Sequence, residues 1–221
     1  MKKKLRIGIA SLLIIAGISI ILIPVYFKNQ NKGTQKDLMN EYQHILKENT
    51  GKGAATPQPQ QENYTYKPAD FLEENSNDAT KSIIKRQEIL GLITCEKLGI
   101  KFVVVEGATR DNIRATIGHI TGTAGLGGDG NCVLAGHRGG YYGEFFKNID
   151  KLEKGDTVVL TDLYNHSYIY KVYKQQVVEA TDLWICDRVK GEDTLTLLSC
   201  EDNGKRRRIV RCRLEKKMEE H

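Results

Sequence analysis

Two stretches of this chain carry residue types suited to acyl-transfer chemistry. Thr194-Leu195-Thr196-Leu197-Leu198-Ser199-Cys200 reads as a strand ending on a thiol. After a polar turn from Glu201 to Gly204, Arg206-Arg207-Arg208-Ile209-Val210 reads as a return strand opening on arginine. A nucleophile must sit beside something that can hold developing negative charge, and a guanidinium across a hairpin can do so. The third candidate is His137, which ends the apolar run Asn131-Cys132-Val133-Leu134-Ala135-Gly136. Only the thiolate is nucleophilic, and a nearby imidazolium and guanidinium favour it. If the three ends converge, they form an active site.

The cysteine count supports a working thiol. The five cysteines, at 95, 132, 186, 200 and 212, are scattered with no CxxC pair, which is neither a disulfide framework nor a zinc site. An odd number leaves at least one thiol unpaired in an exported chain. Cys132 lies inside an apolar run and reads as a buried structural thiol.

Export is expected from the N-terminus. Ile7 to Phe27 are 21 consecutive uncharged, mostly apolar residues, long enough as a helix to cross a bilayer. Lys2, Lys3, Lys4 and Arg6 precede them, so the short N-terminal side is expected in the cytoplasm and the rest outside. No small-x-small cleavage site follows Val25-Tyr26-Phe27, which favours an uncleaved anchor over a signal peptide. The net charge of +5 does not indicate nucleic acid. Five of the 33 basic residues and none of the 28 acids lie in residues 1–28, so the remainder is balanced. The basic run Lys205 to Arg213 also lacks the aromatic interleaving of a single-strand platform.

These residues need a scaffold to position them. Leu38, Tyr42 and Ile45 have helical spacing, with Thr34 as an N-cap, and predict a short amphipathic helix over 34–46 near the membrane. Residues 51–61, rich in Gly, Pro and Gln, read as a flexible linker. From about residue 85 the texture becomes short apolar runs broken by Gly, Asn and Asp, the pattern of a mainly-β domain. Strands are expected at Ile89–Cys95, Lys101–Val105, Asn131–Ala135, Asp156–Leu160, Ser167–Val178, Thr194–Cys200 and Arg207–Leu214. Short helices are expected near Arg110–Ile117 and Tyr142–Leu152, the second with a core stripe of Phe145, Phe146, Ile149 and Leu152. The organisation is then a cytoplasmic tip and transmembrane anchor (1–28), an extracellular spacer (29–84) and a catalytic barrel or sandwich (85–221).

Over residues 89 to 214 the chain resembles the sortases, membrane-anchored cysteine transpeptidases of Gram-positive bacteria. The resemblance rests on Thr196-Leu197-Leu198-Ser199-Cys200, close to the family's Thr-Leu-x-Thr-Cys, on Ala135-Gly136-His137 after a strand, and on the arginine opening the last strand. Val104-Val105-Glu106-Gly107-Ala108 and Gly118 to Ala124 also look like family segments. It implies an eight-stranded β-barrel with one or two short helices; no cofactor is expected, and although some relatives use calcium, no metal-ligand set is read in this sequence. The substrate would be an LPxTG-like sorting signal cleaved at Thr–Gly. Its acyl group would pass to an amine of a cell-wall precursor or a pilin. The resemblance further implies Cys200 as nucleophile, His137 as general acid and Arg207 as the oxyanion or substrate-positioning group.

Some features depart from the pattern or stay open. Ser199 stands where the family usually has Thr, keeping the hydroxyl at a substrate-binding position. Cys95-Glu96 stands where many relatives carry Ile-Pro. The arginine triplet leaves Arg207 and Arg208 both open, with spacing to Ile209-Val210 favouring Arg207. His119 in a Gly-rich segment is the rival histidine, with a structural or substrate-rim role. Trp184, in the loop before the cysteine strand, could line a substrate groove or simply pack. The single anchor, without a C-terminal span or an Asp-Pro-aromatic lid, points to a housekeeping or class D-like enzyme. A cysteine peptidase using water as acceptor, or a non-catalytic adhesion or scaffold barrel, are the alternatives.

Overall fold

The computed structural model describes residues 2–50, 88–139 and 145–219. Eight strands close into a barrel in the order β1-β2-β3-β4-β7-β8-β6-β5. They are β1 (Ile89–Cys95), β2 (Ile100–Glu106), β3 (Ile117–His119), β4 (Asn131–Ala135), β5 (Thr157–Asp162), β6 (Ser167–Glu179), β7 (Thr194–Glu201) and β8 (Arg206–Met218). The pairs β2–β3 and β4–β7 are parallel, and the remaining pairs are antiparallel.

Side-chain alternation divides the apolar residues between two faces of the wall. Ile93, Val104, Leu134, Leu160, Tyr170, Leu197 and Val210 belong to the central cluster that fills the barrel. Val133, Ala135, Leu198, Ile209 and Val178 face the other way, where Ala108, Ile113, Ile120, Ile185 and Cys186 cover them. That outer cluster lies under the candidate site. The stripe Phe145, Phe146, Ile149 and Leu152 is buried in the central cluster as its spacing suggested.

Two expected helices differ in detail. Helix α2 spans Arg110–Ala115, capped by Thr109, whose hydroxyl accepts from the Asn112 amide at 3.3 Å. The two residues assigned beyond it, Thr116 and Ile117, turn instead into β3, a strand too short to announce itself. In place of a helix over 142–152, the described residues 145–152 form turns and a 3-10 turn at Ile149–Lys151; residues 142–144 lie outside the described segments.

The N-terminal region also differs from expectation. One helix, α1 (Lys2–Thr50), runs unbroken through the apolar stretch and the segment expected to start anew at Thr34, so Thr34 is no N-cap. Among the described residues no helix is long and apolar enough to cross a membrane. The second half of α1 does not stand free as part of a spacer. Leu38, Tyr42 and Ile45 are buried against Ile89, Leu92, Val103 and Val105 on the outer face of β1 and β2. Asn49 Nδ2 donates to the Leu163 carbonyl at 2.9 Å, and Gln35 Nε2 donates to the Ala115 carbonyl at the end of α2. The linker expected over 51–61 lies outside the described residues.

Candidate active site

Strand β7 brings Cys200 to the barrel rim. Its threonines face outward and are held by Asn131 at the start of β4: Thr194 and Thr196 hydroxyls donate to Asn131 Oδ1 at 3.1 and 2.8 Å. Asn131 Nδ2 in turn donates to the Ile185 carbonyl at 2.8 Å, tying the 3-10 turn Leu183–Cys186 to the same strands. Across the β7–β8 hairpin Cys200 pairs with Arg207, and Ser199 with Arg208. Alternation therefore sets Cys200 and Arg207 on one face, with Ser199 and Arg208 on the other. Of the arginines left open by the sequence, the register puts Arg207 and not Arg208 on the Cys200 face.

His137 follows β4, which runs parallel beside β7. The Gly136 amide donates to the Leu198 carbonyl at 3.1 Å and the Phe146 amide to the His137 carbonyl at 2.8 Å, fixing the turn on both sides. Only glycine fits at 136, because a Cβ there would lie 2.7 Å from Ile117 Cδ1 and 2.9 Å from the Phe146 ring. A small cleft results, lined by His137, Ser199, Cys200 and Arg207 over an apolar floor that includes Ala135 and Leu198. The three strand ends converge.

Electrostatics differ among these groups. Burial, then the charges of Arg114 and Arg110, hold the His137 imidazole below its usual value. Arg207 is 6% exposed, and its Nη1 donates to the Gly204 and Arg206 carbonyls at 2.7 and 3.1 Å. Those bonds anchor one nitrogen of the fork in a side chain that lines the cleft. The Ser199 hydroxyl is buried with no hydrogen-bond partner among the described residues. Of the five unpaired thiols only Cys200 is not buried, and burial pushes Cys186 up to about 12 and raises Cys95 and Cys212. A thiol held protonated is a poor nucleophile, so chemistry concentrates at Cys200.

A family model described as a sortase domain matches residues 93–215. The chain belongs to the sortase family. Sortase A of Bacillus anthracis is 29% identical over 133 residues, 58% of this chain and 61% of that protein. Sortase A of Listeria monocytogenes is 28% identical over 153 residues, 62% of this chain and 68% of that protein. A solved Clostridium perfringens Sortase D5 transpeptidase is 34% identical with a TM-score of 0.54, covering 61% of this chain and 83% of that one. The match to the Bacillus anthracis relative thus spans about three fifths of that protein's length.

The matched sortase domain contains every cleft residue but excludes α1. Trp184 lies away from the cleft. It is 43% exposed in the turn after β6, with the Arg211 guanidinium 5.2 Å from its ring centre. His119 is also elsewhere: it is buried between Glu106 and the 120–124 loop, where its Nδ1 lies 2.9 Å from Glu106 Oε2. Two residues tied into the cleft strands escaped the sequence reading. Asn131 carried no sign that it holds β7, since only the fold places it beside Thr194 and Thr196. Glu201 read as the start of a turn but ends β7, next to Cys200. Among the described residues no group of three or more His, Cys, Asp or Glu side chains is arranged to hold a metal ion.

Proposed function

We propose that this sortase-family chain is a membrane-anchored cysteine transpeptidase acting outside the cell on an LPxTG-like sorting signal. The observation that carries the reading is the direct cross-strand pairing of Cys200 with Arg207 in a cleft that His137 also lines. The Cys200 thiolate attacks the Thr–Gly carbonyl, and Arg207 donates to the oxyanion or orients the carbonyl. The C–N bond breaks as the His137 imidazolium gives its proton to the leaving amine, and a thioester forms on Cys200. An acceptor amine then attacks the thioester, loses its proton to His137 and expels the thiolate. A lowered His137 value makes its imidazolium a stronger acid toward the leaving amine, and a scarcer one at neutral pH.

The acceptor in this reading is an amine from a cell-wall precursor or a pilin, and the subclass is housekeeping or class D-like. The N-terminal run supplies the anchor. Leu12, Leu13, Ile14, Ile15, Ile20 and Ile21 stand largely exposed on α1, which favours a lipid surface over water as their surroundings. The basic residues before them favour a cytoplasmic N-terminus.

The test incubates the chain with an LPxTG peptide, with and without an oligoglycine or other amine, and searches Cys200 for a thioacyl adduct by mass spectrometry. Adduct plus amine-containing product is the expected result. Adduct with hydrolysis alone makes the enzyme a peptidase, and no adduct with an intact phenotype in Cys200→Ala makes it a scaffold.

A further inference from the structure

The residues that immediately follow the nucleophile and the histidine are joined by a polar ring that the proposed chemistry leaves unused. Glu201 Oε2 accepts from Arg208 Nε at 2.8 Å and also from Arg138 Nη1. The other end of the Arg138 fork, Nη2, lies 3.6 Å from Asp150 Oδ2. Arg208 Nη1 donates to Gln175 Oε1 at 3.4 Å, and Gln175 Nε2 donates to the Asp150 carbonyl at 3.2 Å. Glu201, Arg138, Asp150, Gln175 and Arg208 therefore close a circuit. It crosses β7, the turn after β4, the 149–151 turn, β6 and β8.

The circuit lies on the far side of the hairpin from the thiol. Arg208 and Glu201 pair with Ser199 and Arg206, the positions alternate to Cys200 and Arg207. Its contacts reach the backbone one residue past each reacting side chain: Glu201 adjoins Cys200 and Arg138 adjoins His137. A fork bound at both ends fixes direction as well as distance, which a single contact cannot do. Among the described residues Glu201 is the one carboxylate contacting both Arg138 and Arg208, and its side chain is 16% exposed, so solvent screens it little. It offsets the charges of Arg138 and Arg208 behind the cleft, where burial and then Arg114 and Arg110 already hold His137 below its usual value.

We propose that Glu201 is a positioning residue that locks the His137 turn to the Cys200 strand through Arg138 and Arg208, while balancing the positive field behind the cleft. The role of this ring in turnover rests on the sortase reading; its effect on the Cys200 environment does not. Cutting the ring lets the two strand ends drift independently, and misplacement on the order of 1 Å costs up to about 100-fold in rate.

The experiment uses the full chain in detergent and compares wild type, Glu201→Gln and Glu201→Asp. Two readouts are followed: kcat and KM with an LPxTG peptide and an amine, and the pH dependence of iodoacetamide alkylation at Cys200, mapped by mass spectrometry. Glu201→Gln is expected to lower kcat about 10-fold or more with KM within about two-fold, and to move the alkylation midpoint to lower pH. Glu201→Asp, keeping the charge but not the reach, is expected to hold the midpoint while losing part of kcat. A Glu201→Gln protein with wild-type kcat and an unmoved midpoint overturns the proposal. If wild type turns over no peptide, the transpeptidase reading falls, and the alkylation midpoint alone decides whether Glu201 sets the field at Cys200.

Discussion

Cys200 and Arg207 are direct cross-strand partners at the last pairing but one of the β7–β8 hairpin. Because successive residues of a strand point to opposite faces, that register gives Arg207 the thiol's face and withdraws Arg208 from it. Arg208 is then occupied by Glu201. Arg207→Ala is expected to lower kcat by about 10²–10³, the usual effect of losing one oxyanion donor. Arg207→Lys should recover little, since a point charge does not reproduce a fork held at one nitrogen by the Gly204 carbonyl. Steady-state kinetics on a peptide substrate measures both, and an Arg208→Ala loss exceeding that of Arg207→Ala would reverse the assignment.

His137 is expected to titrate below the usual imidazole value of about 6.5, because burial and then the charges of Arg114 and Arg110 disfavour its cationic form. The sign follows for a variant: removing a neighbouring positive charge with Arg114→Gln should move the midpoint up. Nitrogen-15 NMR of the His137 ring across a pH series reads it directly. An Arg114→Gln midpoint that stays put or falls would show that the Arg114 charge does not reach the ring.

The β-strands and the three cleft residues were legible in the sequence because apolar alternation and strand-end chemistry are local signals. The missing strand β3 was not, since Ile117–His119 is too short to show a period and its first residue was read as the end of the helix over 110–117. The stripe at 145–152 showed correctly that Phe146, Ile149 and Leu152 are core, but turns bury such a stripe as well as a helix does. The choice between Arg207 and Arg208 needed the register of two strands together. Trp184 had a plausible place in the chain, yet the loop turns it onto Arg211. Leu38, Tyr42 and Ile45 announced an apolar face; that the barrel covers it is a tertiary fact no periodicity contains.

That covered face predicts a strong dependence of barrel stability on α1. Tyr42 is 1% exposed, and its hydroxyl lies 3.4 Å from the Asp162 carbonyl. Tyr42→Ala is expected to destabilise by about 3–5 kcal/mol, the range for truncating a large buried aromatic. A chain starting at residue 85 would leave Ile89, Leu92, Val103 and Val105 uncovered and should melt lower or aggregate. Denaturant unfolding of the two proteins checks this, and a loss under about 1 kcal/mol for Tyr42→Ala would mean that the helix only rests on the barrel.

His119 predicts how stability varies with pH. Its Nε2 lies 3.0 Å from the Ala124 carbonyl, which can only accept, and 2.9 Å from the Thr123 hydroxyl, which spends its proton on the Ile120 carbonyl. Its Nδ1 faces the Glu106 carboxylate, so both ring nitrogens are placed to donate and the ring fits its charged form. Burial opposes that charge, but the nearby Cys132 sulfur and the hydrogen-bonded Glu106 carboxylate outweigh it and raise the His119 value; burial likewise opposes ionisation of Glu106, which the His119 contact overcomes to lower it. The raised histidine contributes stability that is complete below about 6.5, its unfolded value, and is lost as pH rises through its folded value. The lowered carboxylate contributes above its own unfolded value and is lost as pH falls through its folded one. Stability should therefore decline on the alkaline side of neutrality. His119→Gln should cost about 1–3 kcal/mol near pH 6 and flatten that decline, because a glutamine amide has no proton to lose as pH rises. Thermal melts from pH 5 to 10 measure it, and an alkaline slope equal in wild type and variant would refute the charged pair.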